Sequence, residues 1–379
     1  MERVLEGLRI VELSAFVAAP LGGATLASLG AEVVRVDPLG GGVDIGRWPL
    51  HQGRSLYWAG LNRGKRSVTL DLRSDRGQEA VARLAAGFGT VITNLPARGP
   101  LSYEQLRERR GDLVMVEIGG RPDGRAAVDY TVNAGAGFPW VTGPEGHQGP
   151  VNHVLPAWDV TTGLLAAVGL LAADRRRLRT GEGALVRLSL AEVAVSVASH
   201  LGLLEEARLI EEPRGRFGNH LYGTFAREFR TADGRFVIVL ALTPRQWRSL
   251  EKATGLPFDR IDADLGDEGE RWRHREEISA LLEPWIGART QEELAEIFEE
   301  HQVLWGPYRT FKELIAEEPL AATPRATPLR FGKEDPAPAP EGPALGADTE
   351  SVLTELGEDL EELRAKGVIG PARSYDQRR

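Results

Sequence analysis

The chain has 379 residues, 42% of them apolar and 27% charged, and a formal net charge of −9. That is an ordinary globular composition, long enough for a large core and two domains, and too acidic overall for nonspecific binding to nucleic acid or to an anionic membrane. There is no cysteine, which excludes disulfides, thiolate metal sites and cysteine nucleophiles and leaves secretion without support.

The opening MERVLEGLRIVEL lacks the pattern of a signal peptide, and the longest apolar run, 164–173, is shorter than the roughly 20 residues a bilayer requires. The expectation is a cytoplasmic enzyme. Residues 8–13 read as a strand, 21–29 as a helix closed by Gly30, and 31–36 as a second strand. Such a β-α-β unit has parallel strands and a right-handed crossover. Strand 67–72, helix 75–86 and strand 90–93 follow, then helix 103–110 and strand 113–118. This alternation predicts an α/β sheet with helices on both faces.

The cluster Gly40-Gly41-Gly42 follows a strand, but a dinucleotide fingerprint belongs at the first β-α turn. That turn reads Ser14-Ala15-Phe16-Val17-Ala18-Ala19-Pro20 and has no glycine triad, so a nicotinamide cofactor is not expected. Arg63, Lys65, Arg66 and Arg73 surround the third strand. Charge alone favours solvated strand ends over a phosphate site.

Residues 120–158 are rich in glycine, proline and aromatics, and loops of that length in a compact domain are usually functional. They hold Tyr130, Asn133, Trp140, Asn152, His153 and Trp158, and they lead to Asp159. Asp159 opens a small, apolar run that extends to Ala173, which reads as a buried helix. A carboxylate there is favoured by the free N–H groups and the helix dipole, and pattern alone prefers a cap to a nucleophile. Gly181-Glu182-Gly183 turns the chain into an apolar stretch at 184–190, and a long helix at 190–207, carrying His200, follows.

A composition break at 211–215 marks a domain boundary. Beyond it lie the glycine-bracketed loop 218–223 with His220, a hairpin around Asp233-Gly234, and a helical stretch in which Thr290 and Glu293 form a capping box. The tail carries Pro336, Pro338, Pro340 and Pro343 and ends in an amphipathic helix at 351–363. The seven histidines fall in no metal-binding spacing, and neither a nucleophile elbow nor a P-loop occurs. The residues alone support an α/β enzyme with Asp159 as the suspect and no stated reaction.

The combination, in order, of LEGLRIVELSAFVAAPLGGATLASLGAEVVRVD, NRGKRSVTLDLRSDRG, TNLPARG, WDVTTGLLAAVGLLAADRRRLRTGEGALVRLSL, GNHLYGTFAREFRTADG and ALGADTESVLTELG resembles the family III CoA-transferases, the group that includes formyl-CoA transferase. The resemblance covers nearly the whole chain. Within the family, AVDYTVNAGAGFPWVTGP, GPVNHVLPAWD and RFGNHLYGTF are similar to members that move CoA between the C1 and C4 carboxyl groups of one mesaconyl-CoA (2-methylfumaryl-CoA) molecule.

The resemblance implies Asp159 as the nucleophile, which passes through aspartyl anhydride and aspartyl-CoA thioester states. It places CoA against Leu70, Arg73, Asn94, Leu95 and Arg98, and makes Tyr130, Asn133, His153 and His220 candidates for the substrate carboxylate. No metal and no cofactor beyond CoA, as part of the substrate, is implied. Val17 stands where some members have a glutamine, and Ala127 near a lysine of the formyl-specific enzyme, which argues against formyl-CoA and oxalate. The fold implied is a large Rossmann-like domain built from 1–210 and from 321–379, a smaller inserted α+β domain at 211–320, and an interlocked homodimer. An intermolecular transfer between dicarboxylates and a 2-methylacyl-CoA racemase remain as alternatives.

Overall fold

The computed structural model describes residues 3–212, 214–333 and 335–370. The chain divides into two units, one of Met1–Ala136, Val154–Leu209 and Thr323–Arg379, the other of Gly137–His153 and Ile210–Ala322.

In the first unit, short runs of valine and isoleucine form a six-stranded sheet in which every pairing is parallel. Its spatial order is Arg66–Leu70, Glu32–Pro38, Arg9–Leu13, Thr90–Thr93, Val114–Gly119, Ala184–Ser189. Alternate side chains enter two separate cores, as a pleated strand requires. Val11, Val34, Val36, Val91 and Met115 pack under helix Asp75–Phe88. Ile10, Val33, Ile92, Val114 and Val116 pack under helices Ala18–Ser28 and Ala157–Thr180. Ser74 caps the start of Asp75–Phe88 by accepting from the Gly77 N–H, and Gly89, at φ +71°, ends it.

The chain's late segment covers the edge strand Arg66–Leu70. Asp348 accepts from the Ser67 N–H at 2.8 Å, its own N–H donates to the Ser67 carbonyl at 2.9 Å, and the Thr349 hydroxyl accepts from the Thr69 N–H at 3.0 Å. An edge that would otherwise offer free backbone groups is thereby closed. The helix expected at 351–363 is two helices, Thr349–Glu355 and Leu360–Ala365, because Gly357 turns the chain at φ +75°. The long helix expected at 190–207 is likewise divided, by Gly202 at φ +73°, into Leu190–His200 and Leu203–Leu209.

Helix Ala157–Thr180 is, among the described residues, the one helix long and apolar enough to cross a bilayer. Its Thr162, Gly163, Ala166, Ala167, Leu170 and Ala173 are buried, and they pack on the first helix and the sheet. Two glycines set that contact. A Cβ at Gly163 would lie 2.6 Å from the Ala18 carbonyl oxygen, and one at Gly22 would lie 3.0 Å from the Gly163 carbonyl oxygen. Only glycine allows backbones this close.

The second unit is built on an antiparallel sheet of Phe225–Arg230, Phe236–Ala241 and Leu304–Pro307, with the Asp233-Gly234 turn joining the first two strands. Helix Gln291–Glu300 starts with the expected capping box of Thr290 and Glu293. Phe225, Trp247, Phe258 and Phe298 fill its core. Residues 137–153 pack in this unit, although the sequence reading places them in the large domain. The Arg216 guanidinium is the reason: it donates to the carbonyls of Pro139, Trp140 and His147 at 3.3, 2.9 and 3.0 Å. The Gly218 N–H adds a bond to the Gly143 carbonyl at 3.1 Å.

Candidate active site

The sheet order of the first unit reverses between Arg9–Leu13 and Thr90–Thr93. Open α/β sheets bind ligands at such a point, beyond the carboxyl ends of the strands. The turn found there, 14–17, is held by polar side chains at every residue from Ser14 to Phe16. The Ser14 carbonyl accepts from Arg35 at 3.1 Å. Asn94, just past the fourth strand, accepts from the Ala15 N–H at 2.8 Å and donates to the Ala15 carbonyl at 2.7 Å. Asp44 accepts from the Phe16 N–H at 3.1 Å. Phe16 sits at φ +61°, a conformation that costs a bulky residue about 1–3 kcal/mol and persists only where the surroundings impose it.

Beneath this turn lies an ion cluster. Arg35 donates twice to Asp37, at 2.9 Å each, and also reaches Asp44 at 3.1 Å and Asn62 at 3.1 Å. Lys65 pairs with Glu12 at 2.8 Å and donates to Asn62 and to the Pro20 carbonyl. All six side chains are buried. Such charges are tolerated because each is paired and hydrogen-bonded. Burial lowers the Lys65 pKa to about 8, against the pull of Glu12. Lys65, expected at a solvated strand end, is thus an internal prop of the turn. Arg66 is also occupied, by Glu32 and Glu355 at 2.8 Å each.

Asp159 is the third residue of helix Ala157–Thr180 and does not cap it. Pro156 stands at the cap and offers no side-chain acceptor. The cap comes from Asp129, 30 residues earlier, whose Oδ2 accepts from the N–H groups of Trp158 at 2.7 Å and Asp159 at 3.0 Å. Asn133, four residues on from Asp129 and on the same helical face, accepts from the Trp158 indole at 3.2 Å. The first turn of the central helix is therefore fixed from outside, and the Asp159 carboxylate is left with no hydrogen-bond partner among the described residues. Asp159 lies one turn, about 6 Å along the axis, before Gly163, whose close approach to Ala18 sets this end of the helix beside the first β-α turn.

Partial burial, and secondly the charge of Asp129, push the Asp159 pKa up to about 6, while Arg47 pulls it down. Arg47 stacks over Tyr57 at 4.7 Å and over Phe16 at 5.6 Å. No carboxylate among the described residues is within ion-pair distance of it. Burial also raises the Tyr57 hydroxyl pKa, opposed by Arg47 and reinforced by Asp159. The result is an ionisable carboxylate, half-desolvated and without a hydrogen-bond partner among the described residues, under the electrostatic influence of a guanidinium that has no ion-pair partner among them, a combination that suits attack on a carbonyl of an anionic substrate.

Of the residues that the resemblance singles out, Asp159, Tyr130 and Asn133 come together in this unit. Asn133 is fully buried and anchors Trp158. Tyr130 is exposed, and its hydroxyl donates to the Val154 carbonyl at 3.4 Å. Leu70 ends a parallel strand and Arg73, Asn94, Leu95 and Arg98 follow the carboxyl ends of parallel strands, on the sheet edge that carries the first turn. The Leu70 side chain is in the core, so it can offer a ligand only its backbone. The Asn94 amide is occupied by Ala15, and the Leu95 N–H by the Thr93 hydroxyl at 3.0 Å. Arg73 and Arg98 are exposed, with no ion-pair partner among the described residues. His153 and His220 belong to the second unit. Each has a buried Nδ1 without a hydrogen-bond partner among the described residues, and His220 lies 3.5 Å from Glu276, with burial holding its pKa down.

Sequence reasoning missed Asp129, Arg47 and Tyr57. Asp129 had no signal beyond its place in AVDYT, and Arg47 lies in an aperiodic stretch. Among the described residues, no group of three His, Cys, Asp or Glu side chains is placed to hold a metal ion.

The family model of CoA-transferase family III matches residues 5–355. The chain is 48% identical to 2-methylfumaryl-CoA isomerase of Chloroflexus aurantiacus, over 99% of this chain and 100% of that protein. It is 28% identical to succinyl-CoA–D-citramalate CoA-transferase of the same organism, over 97% and 98% of the two chains. Among solved structures, a CAIB/BAIF family protein from Brucella suis superposes with a TM-score of 0.79 at 26% identity, covering 93% of this chain and 99% of that one.

Proposed function

Because this chain belongs to CoA-transferase family III, we propose that it moves CoA between the C1 and C4 carboxyl groups of a single mesaconyl-CoA (2-methylfumaryl-CoA) molecule. The relative at 48% identity is named 2-methylfumaryl-CoA isomerase, which this reading matches. The observation that carries the reading is the state of Asp159: on a helix turn capped by another residue, half-buried, its carboxylate without a hydrogen-bond partner among the described residues and under the influence of Arg47, which has no carboxylate within ion-pair distance among them.

In this reading the Asp159 carboxylate attacks the thioester carbonyl, and the C–S bond breaks to give a mixed anhydride and CoA thiolate. The thiolate attacks the aspartyl carbonyl, releasing the substrate carboxylate and leaving an aspartyl-CoA thioester. The other carboxylate of the same diacid then attacks this thioester, expelling thiolate again. The thiolate closes the cycle on the substrate carbonyl of the second anhydride and frees Asp159. No proton is gained or lost. Arg47 holds whichever carboxylate is free, and the desolvated surroundings keep water from the activated acyl groups. Arg73 and Arg98 take the phosphates of CoA, and Asn94 acts on the site by fixing the turn at Ala15.

A racemase would pair Asp159 with a histidine, but the charged groups that act on it are Asp129 and Arg47. Leu164, Leu165 and Val168 of the central helix and Val195 and Leu201 nearby are exposed, and a second copy of the chain is the proposed cover for them.

The test is incubation of the protein with mesaconyl-C1-CoA and isotopically labelled free mesaconate, with products separated by mass-resolved chromatography. The expected product is the unlabelled C4 thioester. Label in the product, or conversion only when a second diacid is supplied, would establish intermolecular transfer instead.

A further inference from the structure

Asp129 is 2% exposed, and the reaction described above makes no use of it. Its Oδ2 takes the N–H groups of Trp158 and Asp159, while its buried Oδ1 meets no donor among the described residues. No arginine, lysine or histidine among those residues is within ion-pair distance of it. The helix N-terminus favours its negative charge, but no counter-charge neutralises it. Asp159 therefore faces a second carboxylate that is locked in place by the same bonds that fix the Asp159 backbone.

The remaining groups around Asp159 do not cancel this repulsion. Arg47 acts on it in the opposite sense but less strongly than Asp129, and Tyr57, whose pKa burial raises, is neutral at ordinary pH. The first helix, AAPLGGATLAS, carries no titratable side chain. On the sheet side, Glu117 and Arg187 pair with each other at 3.3 Å. In the neighbouring helix Leu190–His200, Glu192 is bonded to Ser189, and His200 stands at the far, exposed end.

We propose that Asp129 is a positioning residue for Asp159, fixing the nucleophile's helical turn and, through its own uncompensated charge, favouring the acylated state of Asp159 over the ionised one. Repulsion between the two carboxylates exists while Asp159 is ionised. It vanishes when Asp159 becomes an anhydride or a thioester, since both are neutral. The charge thus raises the energy of the resting nucleophile and not that of the covalent states. The kinetic part of this inference rests on the transfer reaction proposed above; the charge coupling does not.

The sign of the pH effect follows from the roles. Asp159 must be ionised to attack, so turnover falls as pH drops through its pKa of about 6. Removing the charge of Asp129 moves that limb to lower pH, because the ionised form becomes easier to reach.

Asp129→Asn keeps the shape and an acceptor oxygen for the two N–H groups, whereas Asp129→Ala removes both charge and acceptor. The carboxyl of Asp159 is titrated by 13C NMR in aspartate-labelled protein and assigned by its absence in Asp159→Asn. In Asp129→Asn the expected midpoint is lower by roughly 0.5–1 unit. The kcat is expected to fall about tenfold with KM nearly unchanged, and to fall about a hundredfold in Asp129→Ala, the margin of a 1 Å misplacement. An unshifted midpoint in Asp129→Asn overturns the coupling whatever the substrate proves to be, and a shifted midpoint with wild-type kcat overturns the kinetic role. A shifted midpoint in a protein that turns over no diacid thioester refutes the function proposed above and leaves the coupling standing.

Discussion

Asp159→Asn is expected to abolish CoA transfer, with kcat lowered at least about 10⁴-fold, while the fold and CoA affinity stay close to wild type. An amide of the same shape keeps the helix turn intact, because the cap is made by Asp129 to backbone N–H groups and not by the Asp159 side chain. What it lacks is the anionic oxygen that attacks the thioester, and removing a covalent nucleophile commonly costs this much or more. No other carboxylate can serve: Asp129 is buried and committed to the helix, and Asp44 is bonded to Arg35 and to the Phe16 N–H. Steady-state assay together with thermal unfolding checks the claim. A well-folded Asn variant with more than a tenth of wild-type activity would remove Asp159 from the chemistry.

Arg47→Met is expected to lower kcat/KM by about 10²–10³-fold, the size of effect seen when one partner of a desolvated charge pair is truncated. Methionine retains much of the side-chain bulk that lies against Tyr57 and Phe16, so the loss reports on charge more than on packing. The same substitution removes the group that eases ionisation of Asp159, and the acid limb of the pH profile should move to higher pH. That is opposite to the shift expected for Asp129→Asn, so one pair of pH profiles separates the two roles. An unchanged kcat/KM in Arg47→Met would mean that a group other than Arg47 holds the substrate carboxylate.

Much of the large sheet was legible in the sequence because its strands are buried on both faces and read as runs of valine and isoleucine between helical periods. The hairpin at Asp233-Gly234 and the Thr290–Glu293 cap were legible for a similar reason: each is decided by residues a few positions apart. Interactions that span the chain were not. The place of 137–153 depends on three carbonyls reached by Arg216, about seventy residues away in sequence, and no local pattern encodes that. Charge counting could not tell a solvated lysine from Lys65, which is buried against Glu12.

The candidate site divides in the same way. Asp159 announced itself by opening an apolar helix, but pattern favoured a cap, and only the bonds from Asp129 free it for chemistry. Asn94, carried over by resemblance as a CoA contact, has its amide bonded to Ala15 in the structure. Arg47 reaches the site from an aperiodic loop whose course follows from Asp44, Ser55 and the buried Arg35 cluster.

The proposed cycle also fixes the path of every oxygen. In each turnover the bridging oxygen of the second anhydride comes from the free carboxylate of the substrate and stays on Asp159 when the thiolate takes the substrate acyl group. The most direct measurement is a single turnover with mesaconyl-C1-CoA carrying 18O in its free C4 carboxylate, followed by quenching and mass spectrometry of the peptide that contains Asp159. The expected result is one 18O atom on Asp159, a gain of about 2 Da, with one 18O left in the new thioester carbonyl. Complete conversion to the C4 thioester with no label on that peptide would contradict transfer through Asp159.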